Sequence, residues 1–157
     1  MAKRLREVFL DGKWIANTNY KEQIQDLTWH DATNKLTDAN TIAALVFHIN
    51  YYLQGLIQVL NGGSLDISDK YSFDMPEIHS ESEWNQMKDS LLNNAELFAS
   101  LVETMNDERF DDIFVDEKYG NYMRNIEAVI EHSYYHLGQI VLLRKIIDSN
   151  KVLVKYD

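Results

Sequence analysis

Apolar side chains recur every three or four residues in four stretches of the sequence, which is the spacing of an amphipathic helix. These stretches cover residues 2–11, 41–60, 80–106 and 122–148. The alternation of apolar and polar positions that is typical of a half-buried strand is not convincing in any part of the chain. The pattern therefore predicts an all-α protein, in which four helices bury their apolar faces against one another as an up-and-down four-helix bundle.

Residues at the ends of these stretches predict where the helices begin and end. Ser80 and Glu83 match the capping box, in which a serine and a glutamate satisfy the free amides of a first turn. Asn40 and Asn121 are suited to the N-cap positions of the second and fourth long helices. Gly12 is expected to end the first helix, because glycine is favoured just beyond a helix C-terminus.

Long polar connections separate the predicted helices. Residues 64–79 are rich in aspartate and contain the only proline, Pro76, while residues 107–120 are acidic and carry several aromatic side chains. A connection as long as residues 64–79 is unusual in a compact domain. In an up-and-down bundle, however, it can cross from one end to the other, and we predict such a long crossover loop here.

The remaining segments carry weaker signals. Residues 17–40 are expected to contain one or two helical turns, with a further short turn that is capped by Thr28 and runs to about Lys35. Residues 150–157 contain three consecutive apolar residues, and we expect them to be either a short extended segment or loose.

Composition narrows the possible functions. A chain of 157 residues suggests a single domain over residues 1–157. Cysteine is absent, which excludes disulfides, thiolate metal sites and a cysteine nucleophile. The net charge of −10 argues against a nucleic-acid partner, because phosphate contacts require a basic face. No apolar run approaches the ~20 residues of a membrane span, and the N-terminus lacks the hydrophobic region of a signal peptide, so we expect a cytoplasmic protein.

Two of the five histidines, His132 and His136, lie four residues apart in the last predicted helix. This spacing places both imidazoles on one helix face, one turn above the other, where they can reach one metal ion. The arrangement differs from the H-E-x-x-H motif of zinc proteases, because Glu131 precedes the first histidine and points elsewhere on the helix. Taken alone, the pair is equally compatible with two ordinary surface histidines.

His48 lies within the apolar stripe of the second long helix. A buried imidazole needs a hydrogen-bond partner or a metal, and on position alone a hydrogen-bonded core histidine is the commoner case. Together with His132 and His136 it would form a three-nitrogen site with an open position for water or substrate. His30 and His79 have polar neighbours, and we interpret them as surface residues.

Two segments of the sequence resemble a known family. They are Ile42-Ala43-Ala44-Leu45-Val46-Phe47-His48-Ile49 and Ile130-Glu131-His132-Ser133-Tyr134-Tyr135-His136-Leu137-Gly138-Gln139-Ile140. Both are similar to segments of the DinB-like metal-dependent protein superfamily, close to its YfiT and bacillithiol-transferase branch. The resemblance implies a four-helix bundle that holds a divalent metal through His48, His132 and His136, and it implies that dimers are common. Members with known activity are thiol-dependent transferases or isomerases, and many members have no established activity.

Further residues are candidates for the surroundings of this site. Gln139 is placed to support a ligand through a hydrogen bond, although it is equally placed to be a surface residue. Tyr52 is expected to form a core or pocket wall. Arg124 is a candidate for contact with an anionic substrate group, against the alternative of a surface ion pair. Gly55 and Gly138 are expected to let a neighbouring helix approach closely.

These observations lead to one main hypothesis and two alternatives. The main hypothesis is an enzyme in which a divalent metal activates a small thiol to attack an electrophile, or activates a water as in a metal-dependent hydrolase. Nitrogen ligands suit zinc or nickel, which we expect first, as well as iron or copper. In the first alternative, the protein is a non-enzymatic metal-binding bundle or dimeric interaction protein. In the second, it is an interaction module without metal. We expect a homodimer, with neither nucleic acid nor membrane as a partner.

Overall fold

The computed structural model describes the backbone of residues 1–36 and 38–154 and the side chains of this range up to Lys151. Within that part of the chain the regular elements are helical, as predicted. The α-helices are α1 Ala2–Phe9, α2 Tyr20–Ile24, α3 Trp29–Ala32, α4 Ile42–Leu60, α5 Glu81–Glu103 and α6 Tyr122–Val154. Short 3-10 turns occur at Asp69–Tyr71, Asp107–Asp111 and Glu117–Tyr119, and one isolated bridge joins Ile113 to Asn121.

The helices α1, α4, α5 and α6 form the bundle, in which α1 and α4 each contact both α5 and α6. The two helices α4 and α6 are antiparallel: Leu45 lines one cavity with Leu143, and Leu56 lines another with Asn125. The apolar faces meet in a core of large side chains that are fully buried, among them Phe9, Tyr20, Leu53, Trp84, Phe98, Ile126 and Ile130. The all-α bundle class predicted from the sequence is confirmed.

Most of the predicted helix starts are also correct. The Ser80 hydroxyl accepts a hydrogen bond from the Glu83 backbone N–H at 3.3 Å, and the Asn121 side chain accepts one from the Arg124 N–H at 2.9 Å. The N-cap of α4 is Thr41, however, and not Asn40 as predicted. Thr41 has extended backbone angles, and its hydroxyl accepts from the Ala44 N–H at 3.1 Å. Two adjacent residues were both suitable caps, and only the backbone conformation distinguishes them.

Three of the predicted helix ends were too late, among them that of α5, which ends at Glu103 and not near Asn106. The first helix ends at Phe9 and is capped by Leu10, so Gly12 lies beyond the helix. A Cβ at Gly12 would clash with the backbone of Glu7, and the glycine therefore lets the chain fold back against α1. The helix that begins after Thr28 ends at Ala32 and does not reach Lys35.

The last helix is longer than predicted and runs to Val154, well past Asp148. The expected extended or loose tail is therefore helical up to residue 154, and residues 155–157 lie outside the described part of the chain. A 2.6 Å ion pair of Lys151 with Asp31 of α3 supports this extension. Earlier on α6, Arg144 forms a 2.8 Å ion pair with Asp26, which follows α2.

The polar segment of residues 64–79 runs back along α4 and is held there by side chains spaced about one helical turn apart. The paired residues are Asp66 with Gln58, Ile67 with Gly55, Ser68 with Tyr51, Asp69 with Tyr52 and Ser72 with His48. The close approach permitted by Gly55 is therefore made by Ile67, and not by a neighbouring helix as predicted. Because the segment has this fixed course, it can supply residues to a site on α4.

The helix α4 has 19 residues and a mean hydropathy of 1.3, so by length and composition it resembles a membrane span. This differs from the prediction that no apolar run approaches that length. In the bundle, however, 61% of this stretch is buried against the other helices. A core helix of a soluble domain has the same composition, because its apolar residues face the interior on most sides. The described chain has the character of a soluble domain.

Candidate metal centre

The three predicted histidines meet between α4 and α6. The Nε2 atom of His132 lies 3.2 Å from Nε2 of His48 and 2.9 Å from Nε2 of His136. The ligand atoms of all three rings lie within 4.8 Å of one another. Two ligand nitrogens bound to one tetrahedral zinc ion would be ~3.3 Å apart, given Zn–N bonds of ~2.0–2.1 Å, so these spacings fit a shared metal.

The secondary structure explains how the three rings come together. His132 and His136 are one turn apart on α6, so their rings lie on the same face. His48 lies near the middle of α4 and is 6% exposed, as is His136. Because α4 and α6 pack directly against each other, the single histidine of α4 faces the pair on α6.

The other ring nitrogens of two of these histidines contact oxygen atoms. The His48 Nδ1 lies 3.2 Å from the backbone oxygen of Ser72, and the His136 Nδ1 lies 2.7 Å from Oε1 of Gln139. Because a carbonyl oxygen can only accept, each Nδ1 carries the proton, and each Nε2 of a neutral ring then presents a lone pair to the cluster. Converging lone pairs repel one another unless a proton or a cation lies between them. The donor set therefore fits a metal, with the ring orientations held by outer hydrogen bonds.

Burial keeps these histidines neutral near pH 7. Burial is the largest of the causes that lower the pKa of His132 to about 4. The neighbouring rings of His136 and His48 lower it further. Burial also lowers the pKa of His48 and of His136 from the ordinary value. A metal ligand must be a neutral imidazole, so the cluster is in the protonation state that metal binding requires.

Aromatic side chains surround the cluster. Phe73 stacks on the His48 ring with centroids 4.0 Å apart, and Tyr52 approaches His48 and His132 edge-on at 5.0 and 5.4 Å. Tyr135 lies 4.8 Å from the His136 ring. These contacts restrict the rotation of the imidazoles and cover part of the centre from water.

Of the additional candidates, the structure places two at the cluster. Gln139 contacts His136, and Tyr52 forms a wall and donates its hydroxyl to Asp69 at 2.8 Å. Arg124 lies apart in the first turn of α6, with its side chain against Gly120. Gly138 is exposed, and a Cβ there would meet no atom within 4 Å, so within this chain it does not serve close helix packing as predicted.

Three contributors from the polar connection were missed, namely Asp69, Ser72 and Phe73. They lie in a segment without helical or strand periodicity, and Ser72 contributes only its backbone oxygen, which carries no sequence signal. The aromatic residues of this connection, Tyr71 and Phe73, were the available hint. His30 stacks on Trp29, and His79 lies 3.5 Å from Glu77, so neither residue belongs to the cluster.

Two cavities flank the centre. One, of about 220 Å³, is lined by Tyr52, Leu56, Asn125, Ala128, Val129 and His132. The other, of about 340 Å³, is lined by Ala39, Asn40, Leu45, Gln139, Leu142 and Leu143. The first reaches a candidate ligand directly, whereas the second reaches it only through Gln139.

A comparison with known families identifies the class of this chain. The model of the DinB superfamily matches residues 20–140, a range that includes α4, α5, the three histidines and Gln139. The chain therefore belongs to the DinB superfamily. No curated protein and no solved structure matches it. Family membership and the three-histidine cluster together suggest that the protein binds a divalent metal ion.

Proposed function

We propose that the protein is a divalent-metal-dependent enzyme of the thiol-transferase kind, close to the YfiT-like branch, in which His48, His132 and His136 hold the metal. The observation that carries the proposal is the convergence of three Nε2 atoms while Nδ1 of His48 and of His136 contacts an oxygen acceptor. Three protein ligands with an open position are typical of catalytic metal sites, whereas structural sites have four. Zinc or nickel suits this donor set, with iron or copper as further options.

A bound divalent cation would supply positive charge that favours the deprotonated form of a thiol or water at neutral pH. The residues of the chain then have separate tasks. Ser72 and Gln139 orient the rings of His48 and His136, and Phe73 and Tyr52 limit the access of water. In the proposed reaction the thiolate sulfur bonds to an electrophilic carbon, the bond from that carbon to its leaving group breaks, and the thiol proton passes to solvent.

Metal content tests the site. Untagged protein is purified and its metal is measured, alongside the variants His48→Ala and His136→Ala. We expect about one divalent ion per chain in the unaltered protein and little in either variant. The control is His79→Ala, which removes an exposed histidine outside the cluster and should leave the metal content unchanged. Equal metal in all four proteins would contradict the proposal.

Activity separates the alternatives. Metal-loaded protein is incubated with a small thiol and 1-chloro-2,4-dinitrobenzene, and the thioether product and released chloride are quantified against the His136→Ala variant. A rate above that of the variant supports the transferase. If only activated esters or amides are cleaved, the metal-dependent hydrolase is supported instead. Bound metal without either activity, together with unfolding on metal removal, would indicate a structural metal in a non-enzymatic bundle.

We also propose that the protein acts in the cytoplasm as a homodimer, and one face of α6 is suited to self-association. Five exposed residues with heptad spacing form this stripe: Glu131, Tyr135, Gly138, Leu142 and Lys145. Tyr135 and Leu142 are 64% and 60% exposed, and Gly138 between them has open space at its Cβ position. In an antiparallel pair of α6 helices crossing at Gly138, Glu131 of one copy meets Lys145 of the other.

A charge exchange tests this surface. The variant Glu131→Lys should weaken the dimer in sedimentation or light scattering, because two like charges would then face each other at each end of the stripe. The double variant Glu131→Lys, Lys145→Glu should restore it. Glu127→Lys, at an exposed position one turn earlier on α6, is the matched control. A monomeric unaltered protein would contradict the homodimer, without affecting the metal site.

A further inference from the structure

The smaller of the two cavities adjoins the metal centre directly. It lies between α4 and α6, and the ring of His132 forms part of its wall. His132 is half-buried, whereas His48 and His136 are buried, and its Nε2 faces the Nε2 atoms of both. A molecule in this cavity is therefore next to the centre, and at about 220 Å³ the cavity accepts only a small one.

Two polar side chains of this cavity, Asn125 and Tyr52, are left as hydrogen-bond acceptors. Asn125 donates from Nδ2 to the backbone oxygens of Tyr119 and Asn121, at 3.0 and 2.8 Å. Both amide hydrogens are thus in use, and Oδ1 remains as an acceptor. Tyr52 donates its hydroxyl hydrogen to Asp69 at 2.8 Å, which leaves the lone pairs of the phenol oxygen. The other lining residues apart from His132 are apolar, namely Leu56, Ala128 and Val129.

The charge near the cavity is negative. Asp69 lies behind Tyr52, and none of the residues that line the cavity in the described chain is a lysine or arginine. Arg124, one turn before Ala128, lies against Gly120. The Tyr52 hydroxyl lies 2.8 Å from the Asp69 carboxylate, and the Tyr52 ring lies 5.4 Å from the ring of His132, so the carboxylate is close to the centre. A ligand carboxylate or phosphate would meet acceptors and a like charge here.

We propose that this cavity selects a small thiol that carries a hydrogen-bond donor, an amine or a hydroxyl, and disfavours thiols that carry carboxylate or phosphate groups. The donor end contacts Asn125 Oδ1 and the Tyr52 oxygen, and the sulfur lies toward the three histidines. The apolar walls accommodate the short carbon chain between the two ends. This inference rests on the proposed function, because it specifies the thiol that the proposed transferase would use.

Three thiols of nearly equal size provide the probes: cysteamine, 2-mercaptoethanol and mercaptoacetate, with an ammonium, a hydroxyl and a carboxylate respectively. The protein is loaded with Co²⁺, and each thiol is titrated while the thiolate-to-cobalt absorption band is recorded. Titrations are repeated on Asp69→Asn, with Asp74→Asn as the control, since Asp74 is exposed in the same connection. The comparison between proteins cancels the intrinsic affinity of each thiol for the metal.

We expect Asp69→Asn to weaken the binding of cysteamine about fivefold relative to that of 2-mercaptoethanol. The binding of mercaptoacetate should be strengthened by a similar factor. Asp74→Asn should leave both affinity ratios within about twofold of those of the unaltered protein. The inference alone is overturned if Asp69→Asn leaves the ratios unchanged, or if Arg124→Ala selectively weakens mercaptoacetate. Failure to bind Co²⁺ overturns the proposed metal site, and Co²⁺ binding without a response to any thiol overturns the thiol chemistry.

Discussion

Two polar clusters lie on opposite sides of α4, one around Asn50 and the other around His48. They differ in how their hydrogen-bond donors and acceptors are matched. Asn50 faces α5, where it donates to the Ser90 hydroxyl at 3.0 Å and accepts from Asn94 Nδ2 at 2.8 Å. His48 faces α6, where its Nε2 meets the Nε2 of His132. The amide cluster pairs donors with acceptors, whereas in the histidine cluster the Nε2 atoms of His48 and His136 both present lone pairs to the one Nε2 of His132.

This difference distinguishes a structural polar cluster from a functional one. A buried group whose partners are all in the chain contributes to stability, because its hydrogen bonds replace those with water. In the histidine cluster the single Nε2 of His132 can donate to only one of the two lone pairs that face it, whereas one cation could bind all three nitrogens. We therefore expect the amide cluster to matter for folding and the histidine cluster to matter for metal binding.

The largest expected effect is the loss of metal from the histidine cluster. His136→Ala should weaken metal binding by more than about 100-fold, beyond the loss expected for an outer hydrogen bond. Unfolding of the metal-free variant in urea should differ from that of the metal-free protein by about 1 kcal/mol or less, since the former partners of His136, the half-buried His132 and Gln139, can hydrogen-bond to water instead. A variant that retains metal, or that unfolds without it, would contradict the division between the two clusters.

The converse change is made in the amide cluster. Asn50→Ala removes the partner of both Ser90 and Asn94, and we expect a loss of about 1–2 kcal/mol in the free energy of unfolding, with the metal content unchanged. Gln54→Ala on the exposed face of α4 is the control and should have little effect. If Asn50→Ala lowered metal affinity at full stability, the two clusters would not be independent.

A smaller loss of metal affinity than that of His136→Ala is expected from the outer hydrogen bond of the metal centre. Gln139→Leu keeps the size of the side chain but removes the acceptor of His136 Nδ1, so metal affinity should fall by about 10- to 100-fold, as measured by competition with a chelator. Gln139→Glu restores an acceptor and should recover most of the affinity. Gln86→Leu, on the exposed surface of α5, should leave the affinity unchanged.

The smallest expected effect is the loss of folding stability at acid pH. The amide cluster is uncharged and does not contribute to it. Hydrogen bonding to Arg144 holds the pKa of Asp26 below its usual range. Its stabilisation is therefore present above the unfolded pKa of ~3.9 and is lost as the pH falls through the lower folded value. Asp26→Asn should cost about 0.2–1 kcal/mol at pH 7 and little at pH 2, because the pair is partly exposed. Asn50→Ala should cost the same at both values of pH, which urea unfolding measures.

The parts of the fold that depend on local spacing were predictable. Apolar periodicity identified all four bundle helices, and the Ser80 cap and the shared face of His132 and His136 follow from residues within one turn. Choices between neighbouring candidates were not predictable, as with Thr41 and Asn40, because both have suitable side chains. The extension of α6 beyond Asp148 was missed, and there the ion pair of Lys151 with the distant Asp31 supports the helix.

A period of 3.6 residues is enough to predict that the protein is helical, that two imidazoles share a face of α6 and that His48 belongs to the buried stripe of α4. The meeting of the three rings could not be predicted in this way, since it depends on the antiparallel register of α4 and α6. The same is true of Ser72 and Phe73 beside His48, because the connecting segment is held along α4 by contacts that have no local pattern.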